Sequence, residues 1–311
     1  MRPYPIFLLA SLYTLSCSPE RGVSTTGTEE VGKFYPLKSM QFVPGGSFVM
    51  GSDGGPLDER PAHTVHLSPF MIGATEVTNG EYGLYVRLAG VPPPEDPVPG
   101  YFDDYPDHPV VNVSWIDAVL YCNWLSEAMG FEPCYTLRSG YEVDPTKVSF
   151  DPSKDGFHLP TEAQWEYAAS GGEDVEYPWG DGEEKLRGNS SEYEGPFSAE
   201  RLRFSGPLGP LPVGRIGTVG RFSLADVGGN VWEWCNDFYK TDYYRTSPGE
   251  DPLGPGRRDF KRSEWNAIPP KVVRGGGYNS PASRMRCSAR WSLPGTERRP
   301  YVGFRIAREV R

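Results

Sequence analysis

The sequence is poor in the residues that most often carry metal and acid–base chemistry. Its 311 residues include only four histidines and five cysteines. The cysteines, Cys17, Cys122, Cys134, Cys235 and Cys287, follow no regular spacing, and with so little histidine this argues against a zinc site. Positive charge is also short, with 31 Lys and Arg against 41 Asp and Glu and a net charge of -10. No basic stripe exists to meet phosphates, so nucleic acid is excluded as an expected partner. Beyond the first sixteen residues, no run is long and apolar enough to cross a membrane.

What is abundant is turn-forming and aromatic material. Gly (37) and Pro (32) make up about a fifth of the chain, and 8 Trp with 18 Tyr supply core mass. The reading is a folded, loop-rich protein with low regular secondary structure. No internal repeat or composition break interrupts it after residue 37, so one domain over 37–311 is expected.

The start of the chain reads as an export signal. Arg2 precedes the apolar run Ile6-Phe7-Leu8-Leu9-Ala10-Ser11-Leu12-Tyr13, which is too short to span a bilayer, and Ser16 precedes Cys17. Residues 1–16 are read as a signal peptide and Cys17 as the lipidated first residue of a bacterial lipoprotein. Thr14 stands where such signals prefer Leu, and an ordinary signal peptide with a chance Cys is the other reading. Residues 17–36, rich in Ser, Thr, Gly and Glu, are read as a flexible tether. The expected location is therefore a membrane-anchored lipoprotein in the periplasm or on the cell surface. In that oxidising setting the remaining Cys122, Cys134, Cys235 and Cys287 predict two disulfides. Proximity favours Cys122 with Cys134, leaving Cys235 with Cys287, while free buried thiols remain the alternative.

Order is expected from Met40, with two short strands about the turn Pro44-Gly45-Gly46. Three capping boxes announce helices: Thr78-Asn79-Gly80-Glu81, Ser114-Trp115-Ile116-Asp117 and Thr161-Glu162-Ala163-Gln164. Ala118, Cys122 and Leu125 form an apolar stripe behind the second, and Trp165, Ala168 and Ala169 behind the third. Residues 91–108 and 237–270, dense in Pro, Asp, Tyr and Gly, read as surface loops.

Blocks of residues then identify a resemblance. Phe42-Val43-Pro44-Gly45-Gly46-Ser47-Phe48-Val49-Met50-Gly51 is followed by Glu76-Val77-Thr78-Asn79 and His108-Pro109-Val110-Val111-Asn112-Val113-Ser114-Trp115. Next come Leu159-Pro160-Thr161-Glu162-Ala163-Gln164-Trp165-Glu166-Tyr167-Ala168, Tyr177-Pro178-Trp179-Gly180 and Gly229-Asn230-Val231-Trp232-Glu233-Trp234. Arg274-Gly275-Gly276-Gly277 and Gly303-Phe304-Arg305-Ile306-Ala307 complete the order. The chain resembles the formylglycine-generating enzyme, or sulfatase-modifying factor, family from Phe42 to Ala307. That resemblance implies an α+β, C-type-lectin-like single domain with a twisted central sheet and bound calcium.

By the same resemblance, calcium is held by the side chains of Asp226 and Glu233 and the carbonyls of Gly229 and Val231. Oxygen-only ligands of this kind suit Ca2+. A second family site begins at Asn189, but its later ligands find no match here. Active members oxidise a sulfatase cysteine to formylglycine with copper held by two thiolates, and soft sulfur is what selects Cu(I). Here Ser280 stands at the first thiolate position, and the stretch Asn279-Ser280-Pro281-Ala282-Ser283-Arg284-Met285-Arg286 holds no second Cys. Cys287 matches a third, structural cysteine. No copper is expected. A branch using iron needs a histidine triad, whereas His63, His66, His108 and His158 are expected to be structural or exposed. In a strand, His63 and His66 point to opposite faces.

The resemblance leaves a binding reading: a non-catalytic ligand-binding or assembly module. Its surface is expected from Tyr278, Asn279, Ser280, Arg284, Arg286, Trp291, Leu293, Arg298, Arg299 and Tyr301, because Tyr, Trp and Arg dominate binding hot spots. The expected partners are a protein, glycan or other small molecule, and the membrane through the lipid anchor. The alternative is an oxidoreductase of altered active site, with Trp232, Ser280 and Cys287 near its cleft.

Overall fold

In the computed structural model the described residues are 31–32, 39–137, 144–182, 187–201, 209–256, 259–260 and 269–310. The expected signal peptide, Cys17 and nearly all of the tether lie outside them. Each capping box starts a helix. Before α1 (Asn79–Ala89), the Thr78 hydroxyl accepts from Glu81 N at 3.2 Å and Glu81 accepts from Thr78 N at 2.8 Å. The helix stops at Gly90, whose φ of 67° is the left-handed turn that glycine takes without strain. Within the segment 91–108 lies the single turn α2 (Tyr101–Asp104). Ser114 and Asp117 cap α3 (Trp115–Ala128), and Thr161 and Gln164 cap α4 (Glu162–Ser170), with the same reciprocal bonds. The stripe Ala118, Cys122 and Leu125 is buried as its spacing predicts. All nine residues of α4 are buried, so this helix runs through the interior and has no solvent face.

The strands, in chain order, are β1 (Met40–Val43), β2 (Gly46–Met50), β3 (His63–Leu67), β4 (Phe70–Gly73), β5 (Tyr135–Leu137), β6 (Val148–Phe150), β7 (Phe157–His158), β8 (Thr218–Val219), β9 (Leu224–Ala225), β10 (Trp232–Phe238), β11 (Lys271–Arg274), β12 (Trp291–Leu293), β13 (Val302–Gly303) and β14 (Ala307–Glu309). They make two four-stranded sheets, ordered β1-β4-β14-β7 and β12-β11-β10-β13, with three small two-stranded pairs. In the second sheet β13 runs parallel to β10, and the other neighbours are antiparallel. The mixed α+β single domain is as expected, but two sheets replace one central sheet. The β14 strand is inserted between β4 and β7, so the end of the chain closes the sheet begun near its start.

Two strands flank Pro44-Gly45-Gly46 as expected, but they do not pair with each other, since β1 pairs with β4 and β2 with β3. The turn instead crosses the β3–β4 connection so closely that a Cβ on Gly45 would lie 2.5 Å from the Leu67 carbonyl. The segment 91–108 is anchored, because Tyr101 is buried and its hydroxyl donates to Pro109 O at 2.7 Å. Tyr243 and Tyr244 likewise carry part of 237–270 into the core. Finally, Cys122, Cys134, Cys235 and Cys287 are all free thiols. Each is packed among apolar side chains, Cys122 and Cys134 in one cluster and Cys235 and Cys287 in another. They serve as small core residues.

Buried arginines tie the second sheet and the segment after it to α4, and the second sheet to the first. Arg290 makes a bidentate pair with Glu162 (2.7 and 2.8 Å). Arg274 binds Glu166 and donates to the carbonyls of Cys287, Ser288 and Ala289 (2.9, 3.0 and 2.7 Å). Arg305 grips both oxygens of Glu233 at 2.6 Å and donates to Gly73 O and Ala225 O. Two-pronged, charge-assisted bonds of this kind fix orientation as well as contributing energy. Arg274 and Arg290 hold the segment from Cys287 to Arg290 against the helix beneath it.

Candidate functional site: an aromatic cleft at the C-terminal sheet

A cleft of about 350 Å³ opens where the second sheet meets the loop after β11. The sheet contributes Trp232, Val273, Trp291 and Leu293, the loop Asn279, Ser280, Pro281 and Arg284, and the approach to β13 Tyr301. The loop leaves β11 through Gly275 and Gly276, whose φ values of 93° and 74° disfavour any side chain. A Cβ on Gly275 would also press on Trp165 at 3.1 Å.

Inside the cleft Ser280 is fully engaged. Its hydroxyl accepts from Trp232 Nε1 at 3.0 Å and from Gly277 N at 3.3 Å, and it donates to Asn279 Oδ1 at 3.4 Å. The Trp232 and Trp291 rings lie 5.7 Å apart between centroids. Trp291 is 44% exposed, and the Arg284 guanidinium lies 4.6 Å from its ring centroid. The lining holds no Cys, His, Asp or Glu.

Of the expected surface, Asn279, Ser280, Arg284, Trp291, Leu293 and Tyr301 come together here. Trp232, placed near a cleft in the oxidoreductase reading, is central to it, whereas Val273 and Pro281 carried no signal in the sequence. Tyr278 is buried instead, packed with Tyr101, Val111 and Val231, and its hydroxyl donates to Pro300 O at 3.2 Å. Burial pushes its phenol up. Arg286 turns away to a bidentate pair with Glu59 (2.7 and 2.6 Å). With Cys287 it lines a different cavity of about 660 Å³. Arg298 pairs with Asp117 and Arg299 with Glu297, both outside the lining. Burial, with the Glu166 charge second, drives the Cys287 thiol well above its ordinary range, and burial followed by Glu162 does the same to Cys235.

The histidines are scattered. His108 is lowered to about 4 by burial, and His63 is lowered for the same cause. His66 Nδ1 lies 3.1 Å from Ser47 Oγ, and His158 is buried against Leu159 O. Among the described residues no three His, Cys, Asp or Glu side chains form a ready metal cluster.

For the calcium set the charge balance is informative. Burial raises Glu76 well above its ordinary value, with Asp226 and Glu233 adding to it, and raises Asp226 to about 6. Glu76 Oε2 is buried without a hydrogen-bond partner. Glu76, Asp226 and Glu233 thus share one guanidinium, Arg305, and the orphaned Glu76 oxygen is the group that an oxygen-bound divalent ion would satisfy. Glu233 accepts from Arg305 at both oxygens (2.6 Å) and from Trp165 Nε1 at Oε2 (2.8 Å), which leaves Oε1 one further lone pair. Near Asn189, whose Oδ1 is buried without a hydrogen-bond partner, a cation of the chain itself is at hand. The Arg201 guanidinium fills the space there, donating to Ser190 O (2.9 Å), Tyr278 O (3.0 Å), Tyr193 O (3.4 Å) and Gly209 O (3.5 Å). Copper does not fit the cleft, since hydroxyl and amide groups are poor partners for Cu(I).

Comparison with known proteins gives a consistent picture. The family described as the sulfatase-modifying factor enzyme 1-like domain matches residues 27–310. The chain is 31% identical to the formylglycine-generating enzyme of Streptomyces coelicolor, over 86% of this chain and 88% of that one. It is 32% identical to that of Thermomonospora curvata, over 87% and 93%. Among solved structures it is similar to Treponema denticola variable protein 1, at a TM-score of 0.69 and 27% identity, over 87% of this chain and 95% of that one.

Proposed function

Because the chain belongs to the sulfatase-modifying factor enzyme 1-like family, we propose that it keeps the family's frame and uses the cleft to bind rather than to oxidise. In this reading it is an exported, lipid-anchored, non-catalytic ligand-binding module. The observation that carries it is the cleft lining, which offers aromatic faces, one arginine and two neutral polar side chains, but no thiol, imidazole or carboxylate. A formylglycine-generating site needs a redox metal on soft ligands, and a serine already bonded to Trp232 supplies none. The free thiols lie elsewhere, buried and with pKa values raised, which is the inert condition for cysteine.

Export and anchoring rest on the opening residues: an apolar run too short to span a bilayer, followed by Ser16-Cys17. Calcium, where bound, serves as a structural ion for the segment from Asp226 to Val231. It neutralises Asp226 there, with Glu233 left as the counter-ion of Arg305.

Copper analysis of the purified chain after loading with Cu(I) tests the non-catalytic reading. Less than stoichiometric copper is expected, and one tightly held Cu(I) per chain would overturn it. Labelling with a fatty acid tests the anchor: incorporation is expected in the natural chain and lost in Cys17→Ala, and equal labelling of both would remove it. Chelation tests the ion, with a fall in Tm on adding EGTA that excess calcium reverses.

A further inference from the structure

The cleft's ligand class can be read from its charge. Four arginines were expected to build this face, and three of them are neutralised: Arg286 by Glu59, Arg298 by Asp117 and Arg299 by Glu297. Arg284 has no carboxylate within ion-pair reach among the described residues, and its guanidinium lies over the Trp291 ring. In a chain of net charge -10, the lining of this cleft carries one cation and no acid. Leaving a guanidinium uncompensated beside a half-exposed tryptophan makes a local positive site on an otherwise acidic molecule. Lying over the indole also orders the guanidinium while leaving N–H groups to donate.

The second polar group points the same way. Asn279 uses its carbonyl oxygen to accept from Ser280, which leaves its amide N–H groups available at the cleft. Two donors, one of them charged, therefore face the same space as the rings of Trp232, Trp291 and Tyr301. Aromatic faces take flat apolar surface, and paired donors take an oxyanion, through short charge-assisted bonds. A volume of about 350 Å³ is at the small end of ligand clefts and suits one or two rings rather than a folded partner.

We propose that the cleft binds a small ring compound carrying a carboxylate or comparable oxyanion, its ring lying on the exposed Trp291 and its anion on Arg284 and Asn279. This rests on the binding reading above and narrows it to a chemical class. The ring can be a sugar or an aryl group, and both present a flat apolar face with an acid at the edge.

Indole N–H signals of the 15N-labelled full chain provide the readout, with Trp291 assigned through Trp291→Phe. Four probes are titrated: glucuronate against glucose, and phenylacetate against 2-phenylethanol. Movement of the Trp291 signal is expected with an acid at concentrations about tenfold below those needed for its neutral counterpart, as one charge-assisted bond implies. Arg284→Gln should abolish that tenfold preference without shifting the other indole signals. A response to glucuronate alone assigns a sugar acid, and a response to phenylacetate alone an aryl acid. Equal response to acid and neutral partners, or no movement with either acid, overturns the proposal. Those outcomes remove only the ligand class, whereas stoichiometric Cu(I) removes the binding reading itself.

Discussion

Arg274 and Arg290 lie within ten residues of Arg284 in sequence, yet the two sets do opposite work. The first pair, with Arg305, is buried at 2% exposure or less and is held by carboxylates and backbone carbonyls. Arg284 keeps its charge at the surface, over an exposed indole. The difference shows how one residue type can build a frame and furnish a site. What decides is whether a glutamate from α4 or β10 stands opposite. Over the cleft none does among the described residues, and in the proposed reading that charge is what meets a ligand.

The largest effect should come from breaking the frame. Arg305→Met strands the Glu233 carboxylate in the interior and should lower stability by about 3–5 kcal/mol, read as a shift in the urea midpoint. Arg284→Gln should move it by less than about 0.5 kcal/mol. Similar losses in both variants would erase the distinction between frame and site.

Acidity sharpens the same contrast. Burial, reinforced by the Glu162 charge, raises Asp237 to about 7, against the opposing pull of Lys271 and Arg290. A carboxyl raised in the folded state holds its proton after the unfolded chain has lost its own. Asp237 should therefore make stability fall as pH rises from about 4 to about 7, contributing at most about 1.4 kcal/mol per unit in addition to the fall of the same sign from Asp226. Asp237→Asn keeps the acceptor for Glu162 N and should flatten that slope. An unchanged slope in the variant would assign the titration elsewhere. Smaller still, Thr78→Ala should cost about 1 kcal/mol in the same urea measurement, the usual worth of an N-cap. The loss belongs to the frame and should leave the Trp291 indole signal in place.

The frame was largely legible because its signals are local. A capping box declares itself within four residues, and all three did so at Thr78, Ser114 and Thr161. Strand partnership was less legible, since the short strands beside Gly45 pair with segments further along and not with each other. The site was half legible for the same reason. Arg286 and Arg284 look alike in sequence, and what separates them is Glu59, 227 positions away from Arg286. Tyr278 looked like a binding residue, but its ring is needed to fill the space under Tyr101 and Val231. The even cysteine count suggested bridges, whereas packing places each thiol as core filler.

The central claim, that this frame binds without oxidising, is met most directly by mass spectrometry of a Cys-X-Pro-X-Arg sulfatase peptide. The peptide is incubated with the purified chain, Cu(I) and oxygen. The account predicts a peptide of unchanged mass with its thiol intact. Loss of the thiol with gain of an aldehyde would contradict it and establish an oxidase working without the paired cysteines.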